Sequence, residues 1–250
     1  MLKIKSFSIK TKLIVFLAGF AVFLSVRDKD AAFLFATAIA LISALIIDIA
    51  FYYVKNRKFS VSESSAISAL IIGFVLASDN PWWIISLASL FAISSKYLIR
   101  FNKKHVFNPA AFGIFLSIFL FGATTQWKGT FIWYIIMPAG LYFSYKIRKL
   151  ELITGYLITA LGLFGIQAAL NKVSFINIFG YLSYFYIFIM LIEPKTTPVK
   201  SLAKIIFGIG AAGLIFIFIQ IGFNFDSELV ALLILNLFVP ILNSIPERRR

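Results

Sequence analysis

The chain has 250 residues, of which 61% are hydrophobic, with a mean hydropathy of +0.95 and a formal net charge of +14. A soluble domain is nearer half apolar, so this composition points to lipid. No cysteine and a single histidine, His105, exclude disulfide frameworks, cysteine-held iron–sulfur clusters, thiol catalysis and histidine-rich metal or haem sites. Any redox chemistry therefore has to use an organic cofactor or a partner's metal.

In chain order, apolar runs fall at 11–26, 31–53, 64–78, 82–99, 109–122, 130–145, 152–169, 175–192, 202–222 and 228–244. Each is about 14–23 residues, bracketing the ~20 that a spanning helix needs. These ten runs predict an all-α polytopic membrane protein with about ten transmembrane helices. The basic start and first apolar run resemble a signal peptide. The run ends Leu-Ser-Val-Arg-Asp-Lys-Asp with no small-residue cleavage site, so it is expected to stay as a first helix.

The charges fix an expected orientation. With both termini placed in the cytoplasm of a multi-pass inner (plasma) membrane protein, all but four of the 24 cations fall in cytoplasmic segments. Only Arg27, Lys29, Lys128 and Lys172 lie on the other side, the bias that the positive-inside rule describes. The basic balance thus reads as topology in a lipid bilayer and not as a nucleic-acid footprint.

Loops are short, and no linker or low-complexity tract interrupts the chain, so 1–250 is expected to be a single membrane domain. Ten runs divide into a first half (1–125) and a second half (126–250). Five is odd, so the halves would be inverted, an arrangement common in transporters. The third run leaves through "LASDNPWW" and the eighth through "MLIEPKTTPVK". Each therefore carries an acid beside a proline, Asp79 with Pro81 and Glu193 with Pro194, on opposite sides of the membrane.

Particular residues stand out against this background. In "HVFNPAAFG", Asn108 is a strong N-cap and Pro109 suits the first helical position, so the fifth helix starts there. The tenth run carries Asn236 and, four residues on, Pro240. Interrupted spans in matching positions of two halves point to a central site. Asp48, in "LIIDIAFYY", is a costly intramembrane carboxylate, read either as an ion-path residue or as one near enough the surface to stay hydrated, or paired with Lys55 or a neighbouring cation. Trp82, Trp83, Trp127 and Trp133 suit an interfacial belt or a stacking surface. Gly208, Gly210, Ala212 and Gly213 form a small-residue stripe for close helix approach. Gly122-Ala123-Thr124 puts a hydroxyl at the outer end of the fifth run, with Thr125 as its neighbour.

Over residues 64–245, "SALIIGFVLASDNPWW", "HVFNPAAFG", "EPKTTPVK", "IIFGIGAAGLIFIFI" and "LLILNLFVPILN" occur in an order that resembles the NqrB/RnfD family. Its members are the membrane flavin proteins of the Rnf electron-transport complex and of the sodium-pumping NADH:quinone reductase. The resemblance implies ten helices in two inverted halves, and FMN held through a phosphoester to a threonine on the outer face. In some members it also implies riboflavin within the membrane. The family's attachment motif reads Ser-Gly-Ala-Thr; here Phe121 replaces the serine before Gly122-Ala123-Thr124. Its acidic element, Thr-Asp-Pro, is here Ile192-Glu193-Pro194.

The resemblance implies an electron-transport subunit relaying electrons through bound flavin, with ion movement as a coupled process. Such a subunit acts beside other membrane and soluble redox subunits and a flavin-attaching enzyme, and does not oxidise NADH alone. Thr124 would carry FMN, Asn108 would face a flavin edge, Phe107, Phe112 or Trp82 would stack on the ring, and Glu193 would supply the acidic element. No metal ligands are expected. The competing expectation is a flavin-free small-solute channel or transporter on the same fold.

Overall fold

The structure is a computed structural model that describes residues 7–102, 104–172 and 174–246. Lys3, Lys5, Lys103 and Arg248–Arg250 of the charge map lie outside the described residues, as do both termini. Nine α-helices are described: α1 (Ile9–Asp28), α2 (Ala31–Asn56), α3 (Glu63–Val75), α4 (Trp82–Leu98), α5 (Pro109–Phe121), α6 (Trp133–Lys146), α7 (Leu150–Leu170), α8 (Ser201–Gln220) and α9 (Ser227–Ser244). A two-stranded hairpin, β1 (Arg100–Phe101) with β2 (Lys104–His105), joins α4 to α5. The architecture is that of an all-α polytopic membrane protein.

Five helices, α1, α2, α7, α8 and α9, are long and apolar enough to cross a membrane. The inner elements are shorter. At 13 residues each, α3 and α5 reach only about 20 Å against a hydrocarbon core of about 30 Å. Irregular backbone at that depth is tolerated only when protein covers it. The chain completes α3 with an extended segment: Ala77 N–H donates to Thr124 O (2.9 Å) and Gln126 N–H to Val75 O (2.8 Å).

The eighth run departs from expectation. Instead of one helix over 175–192, Phe175–Tyr181 is 3-10 helix, the chain breaks at Leu182–Ser183, and Tyr186–Met190 forms a π turn closed by Leu191 N–H to Tyr186 O (2.8 Å). Crowded β-branched and aromatic side chains make "FINIFGYLSYFYIFIM" a weak helix former, and packing decides its path. Leu182, Phe185 and every residue of Tyr186–Ile192 are buried, so this segment forms the centre of the core.

Around it, α2 packs on α3 and α4, and α7 packs on α8. Small residues allow the approach. A Cβ at Gly155 would lie 2.6 Å from Ile205 O, and one at Gly113 would strike Ala88 O. The helix pair α5 and α9 meets across the middle of the molecule.

Candidate functional site

Two polar nodes lie at the ends of α5. Asn108 and Pro109 open the helix as the sequence predicts: Asn108 Oδ1 accepts from Ala111 N–H at 3.0 Å. Asn108 Nδ2 donates to Met190 O (3.3 Å), and its backbone N–H donates to Asn236 Oδ1 (2.8 Å). Asn236 Nδ2 in turn donates to Thr196 O (2.9 Å). Both asparagines are 1% exposed. Beside them His105 Nε2 lies 3.1 Å from Glu193 Oε1, and the Thr196 hydroxyl donates to Glu193 Oε2 at 3.3 Å. The start of α5, the middle of α9 and the end of the eighth run are thus tied into one buried network. It lies toward the end of the molecule that carries Lys10, Lys96, Lys146 and Lys204, here the basic end.

The second node lies at the opposite end. Asp226 caps α9 by accepting from Leu229 N–H (3.1 Å), and it also accepts from the Thr125 hydroxyl (3.0 Å) and Trp127 Nε1 (2.7 Å). Thr124 is exposed, its hydroxyl 3.4 Å from Asn80 Nδ2 and 3.5 Å from Asp79 Oδ1. Trp82 is 66% exposed, two residues beyond Asn80, and Trp83 sits edge-on to Phe121 at 5.4 Å. At the same end Lys128 holds Asp30 (2.7 Å) and Asp28 (3.4 Å). The Lys128 hydrogen bond keeps the Asp30 carboxyl below its usual range, against the effect of burial.

The structure therefore separates the residues singled out in the sequence. Asn108, Phe107, Phe112 and Glu193 gather at the first node; Thr124 and Trp82 belong to the second. Trp82, at the far end of the 17-residue α4, cannot share a ring with Asn108, because that helix alone spans about 25 Å. Phe107 and Phe112 stack on each other (5.3 Å, 22°).

Asp48 is fully buried and pairs with Lys96 at 3.0 Å, not with Lys55. It also accepts from Tyr97 Oη and Ser62 N–H, both at 2.8 Å, and Lys96 further donates to Ser62 and Ser65. A carboxylate so fully satisfied holds α2, α3 and α4 together. Sequence reasoning missed Lys96 and Tyr97 as its partners and missed Asp226. The available signals were a cation inside an apolar run, and Asp-Ser-Glu just ahead of the last one.

A flavin finds little room at the first node. The cleft lined by Asn108, Glu193, Ile71, Phe143 and Ile189 measures about 110 Å³, and a neighbouring one lined by His105, Thr196, Asn236 and Pro240 about 240 Å³, whereas ligand pockets usually run to several hundred. Asn108 Nδ2 and Oδ1 are each already engaged, with Met190 O and Ala111 N–H, which leaves one amide N–H and one lone pair for any ring edge. The second node meets more of the requirements: an exposed hydroxyl on a backbone pinned by Asn80 and Ala77, with aromatic rings close by. The Asp79 carboxylate there opposes an anionic phosphoester.

Half-length central helices, irregular segments sealed in protein and buried polar nodes define a polytopic membrane protein built around its interior. The chain belongs to the NQR2, RnfD, RnfE family, whose model matches residues 4–131 and 128–250. It is accordingly a membrane subunit of the type found in Rnf and Nqr complexes. A search of curated proteins returned no match.

Proposed function

We propose that the protein is an electron-transport subunit of a Rnf- or Nqr-type complex, with flavin carried at its outer end on Thr124. The observation that carries this reading is the exposed Thr124 hydroxyl, fixed by Asn80 beside Trp82, in a chain matched end to end by the family. A flavin bound there supplies one- and two-electron redox chemistry. The chain's own part is to hold the Thr124 backbone rigid through Asn80 and Ala77 and to offer ring surface at Trp82 and Trp83. The first node closes the path on the other side by burying Asn108 and Asn236 beside a half-buried Glu193.

The two family matches meet at 128–131, close to the expected division at 125, which supports two halves related by inversion. So does the pattern of N-caps, Asn108 for α5 and Asp226 for α9, at opposite ends. The charge bias supports placing the basic end in the cytoplasm of the inner membrane. Partner redox subunits on either side, and coupling to ion movement, belong to the same reading. The small cleft bounded by Asn108 and Glu193 favours a second reading, a flavin-free channel for small solutes.

Mass spectrometry of the peptide spanning residues 105–128, from a host with a flavin-attaching enzyme, tests the proposal. FMN mass on Thr124 is expected. An unmodified peptide from colourless protein would overturn the flavin reading and leave the channel.

A further inference from the structure

Helices α7 and α8 run side by side in the same direction. Lys204 reaches Glu151 (3.2 Å) at their starts, and Gln167 Nε2 reaches Gln220 Oε1 (3.1 Å) near their ends. Both therefore begin together at the basic end, and neither has a side-chain N-cap hydrogen bond. Parallel helices add their positive N-terminal dipoles, a setting that favours an anion. Dipoles alone make no site, but two further features do.

One is a cavity of about 620 Å³ at these helix starts, lined by Arg148, Lys149, Ser201, Lys204, Tyr145 and Pro194. Its charge is not balanced from within. Glu151, also on its wall, is answered by Lys204 and by the Ser201 hydroxyl (3.0 Å). Lys149 is 3% exposed and, among the described residues, donates to neutral acceptors, Pro198 O (2.6 Å) and Thr197 O (3.4 Å). The Arg148 side chain is exposed. Among the described residues, neither Arg148 nor Lys149 has a carboxylate within ion-pair distance, and Glu151, the one acid on the wall, is held by Lys204.

The other feature is a groove of about 330 Å³ running down from the same place between α7 and α8. It shares Leu150 and Glu151 with the cavity and continues past Thr154, Gly155, Ile158, Ile205 and Ile209. Its walls are almost wholly apolar, and Ile158 and Ile209 open onto the lipid-facing surface (68% and 44% exposed).

A basic cavity above an apolar groove matches a molecule with a phosphate at one end and a hydrocarbon chain at the other. We propose that the starts of α7 and α8 form a binding site for an anionic phospholipid, its phosphate headgroup in the Arg148–Lys149–Lys204 cavity and one acyl chain in the Gly155–Ile209 groove. Basic pockets between helices at a membrane surface are suited to such headgroups. Burial, then the neighbouring Lys204 charge, pushes the Lys149 amine down to about 8, and a headgroup phosphate would reverse that by supplying the missing counter-charge.

The test uses the full chain, stripped of lipid in a neutral detergent and titrated with phosphatidylglycerol or phosphatidylcholine of identical acyl chains. Bound lipid is counted by native mass spectrometry. Phosphatidylglycerol is expected to bind roughly tenfold more tightly or better, and Arg148→Gln to cut that preference about fivefold, the usual worth of one cation near a lipid surface. Lys58→Gln, which removes an equal charge elsewhere at the basic end, should leave the preference intact. Thr154→Phe should weaken binding of the diacyl lipid by filling the groove while leaving inorganic phosphate binding unchanged. Equal binding of the two lipids would overturn the site, as would equal effects of Arg148→Gln and Lys58→Gln. Inorganic phosphate displacing everything that phosphatidylglycerol occupies, with Thr154→Phe silent, would also overturn it, in favour of a soluble anion.

Discussion

The starts of α5 and α9 solve one problem with different chemistry. Each needs a side chain to accept the N–H three residues on, and each does so at 3.0–3.1 Å, Asn108 for Ala111 and Asp226 for Leu229. Asn108 is 1% exposed and must also donate, to Met190 O, so a neutral amide serves and a carboxylate would not. Asp226 is half-buried and accepts from the Thr125 hydroxyl and the Trp127 indole N–H, so a carboxylate is the better acceptor. The partners that a cap meets across the fold, not capping itself, decide which residue stands there.

The largest effect is expected from removing what joins the two central helices. Asn236→Leu leaves the Asn108 N–H and Thr196 O buried without partners, at about 1–3 kcal/mol each. Thermal unfolding in detergent should show a loss of about 3 kcal/mol, and an unchanged melting temperature would show that the asparagine pair contributes nothing. Exchanging the two caps comes next. Asn108→Asp loses the donor to Met190 O and buries a carboxylate near Glu193, for a cost of about 2 kcal/mol or more. Asp226→Asn keeps a good cap and should cost less than ~1 kcal/mol. Equal losses in the two exchanges would erase the difference between the caps.

A last effect concerns lysines at the two ends. Burial works against the Lys128 charge, but the Asp30 and Asp28 carboxylates outweigh it and raise its pKa; at Lys149, burial and the Lys204 charge outweigh the support of Glu151, and its pKa falls to about 8. Between about pH 8 and the ordinary lysine value near 10.4, the folded state binds fewer protons at Lys149 than the unfolded chain, so stability should rise with pH in that window. Lys149→Met should flatten that rise. A slope that survives the substitution would assign it to other lysines.

Much of the fold was legible in the sequence because a membrane leaves few options. A backbone exposed to lipid must be helical or part of a closed barrel, so apolar runs of spanning length mark helices, and short apolar runs with Asn-Pro or Gly mark where helices begin and end. Asn108 and Gly122 bound α5 as expected, Gly122 taking a left-handed φ of 66° at its C-terminus. The second part of the eighth run was not legible, since periodicity is uninformative where every residue from Phe185 to Ile192 is buried. Tyr186, fully buried with no hydrogen-bond partner for its hydroxyl among the described residues, sits where neighbours and not propensity set the backbone.

The sequence by itself determined the solvent, the family and the local helix starts, because composition, run length and capping chemistry act over a few residues. It also marked Asn108, Asn236, Glu193, Thr124 and Asp48 as positions that needed an explanation. Only the tertiary structure decided their partners. It put Asn108 against Asn236, 128 positions away, Asp48 against Lys96, and Thr125 against Asp226. It likewise sent Trp82 to the opposite end from Asn108 and set α7 parallel to α8 over a basic cavity. A polar group in lipid must find a partner, and which partner it finds depends on how the helices pack.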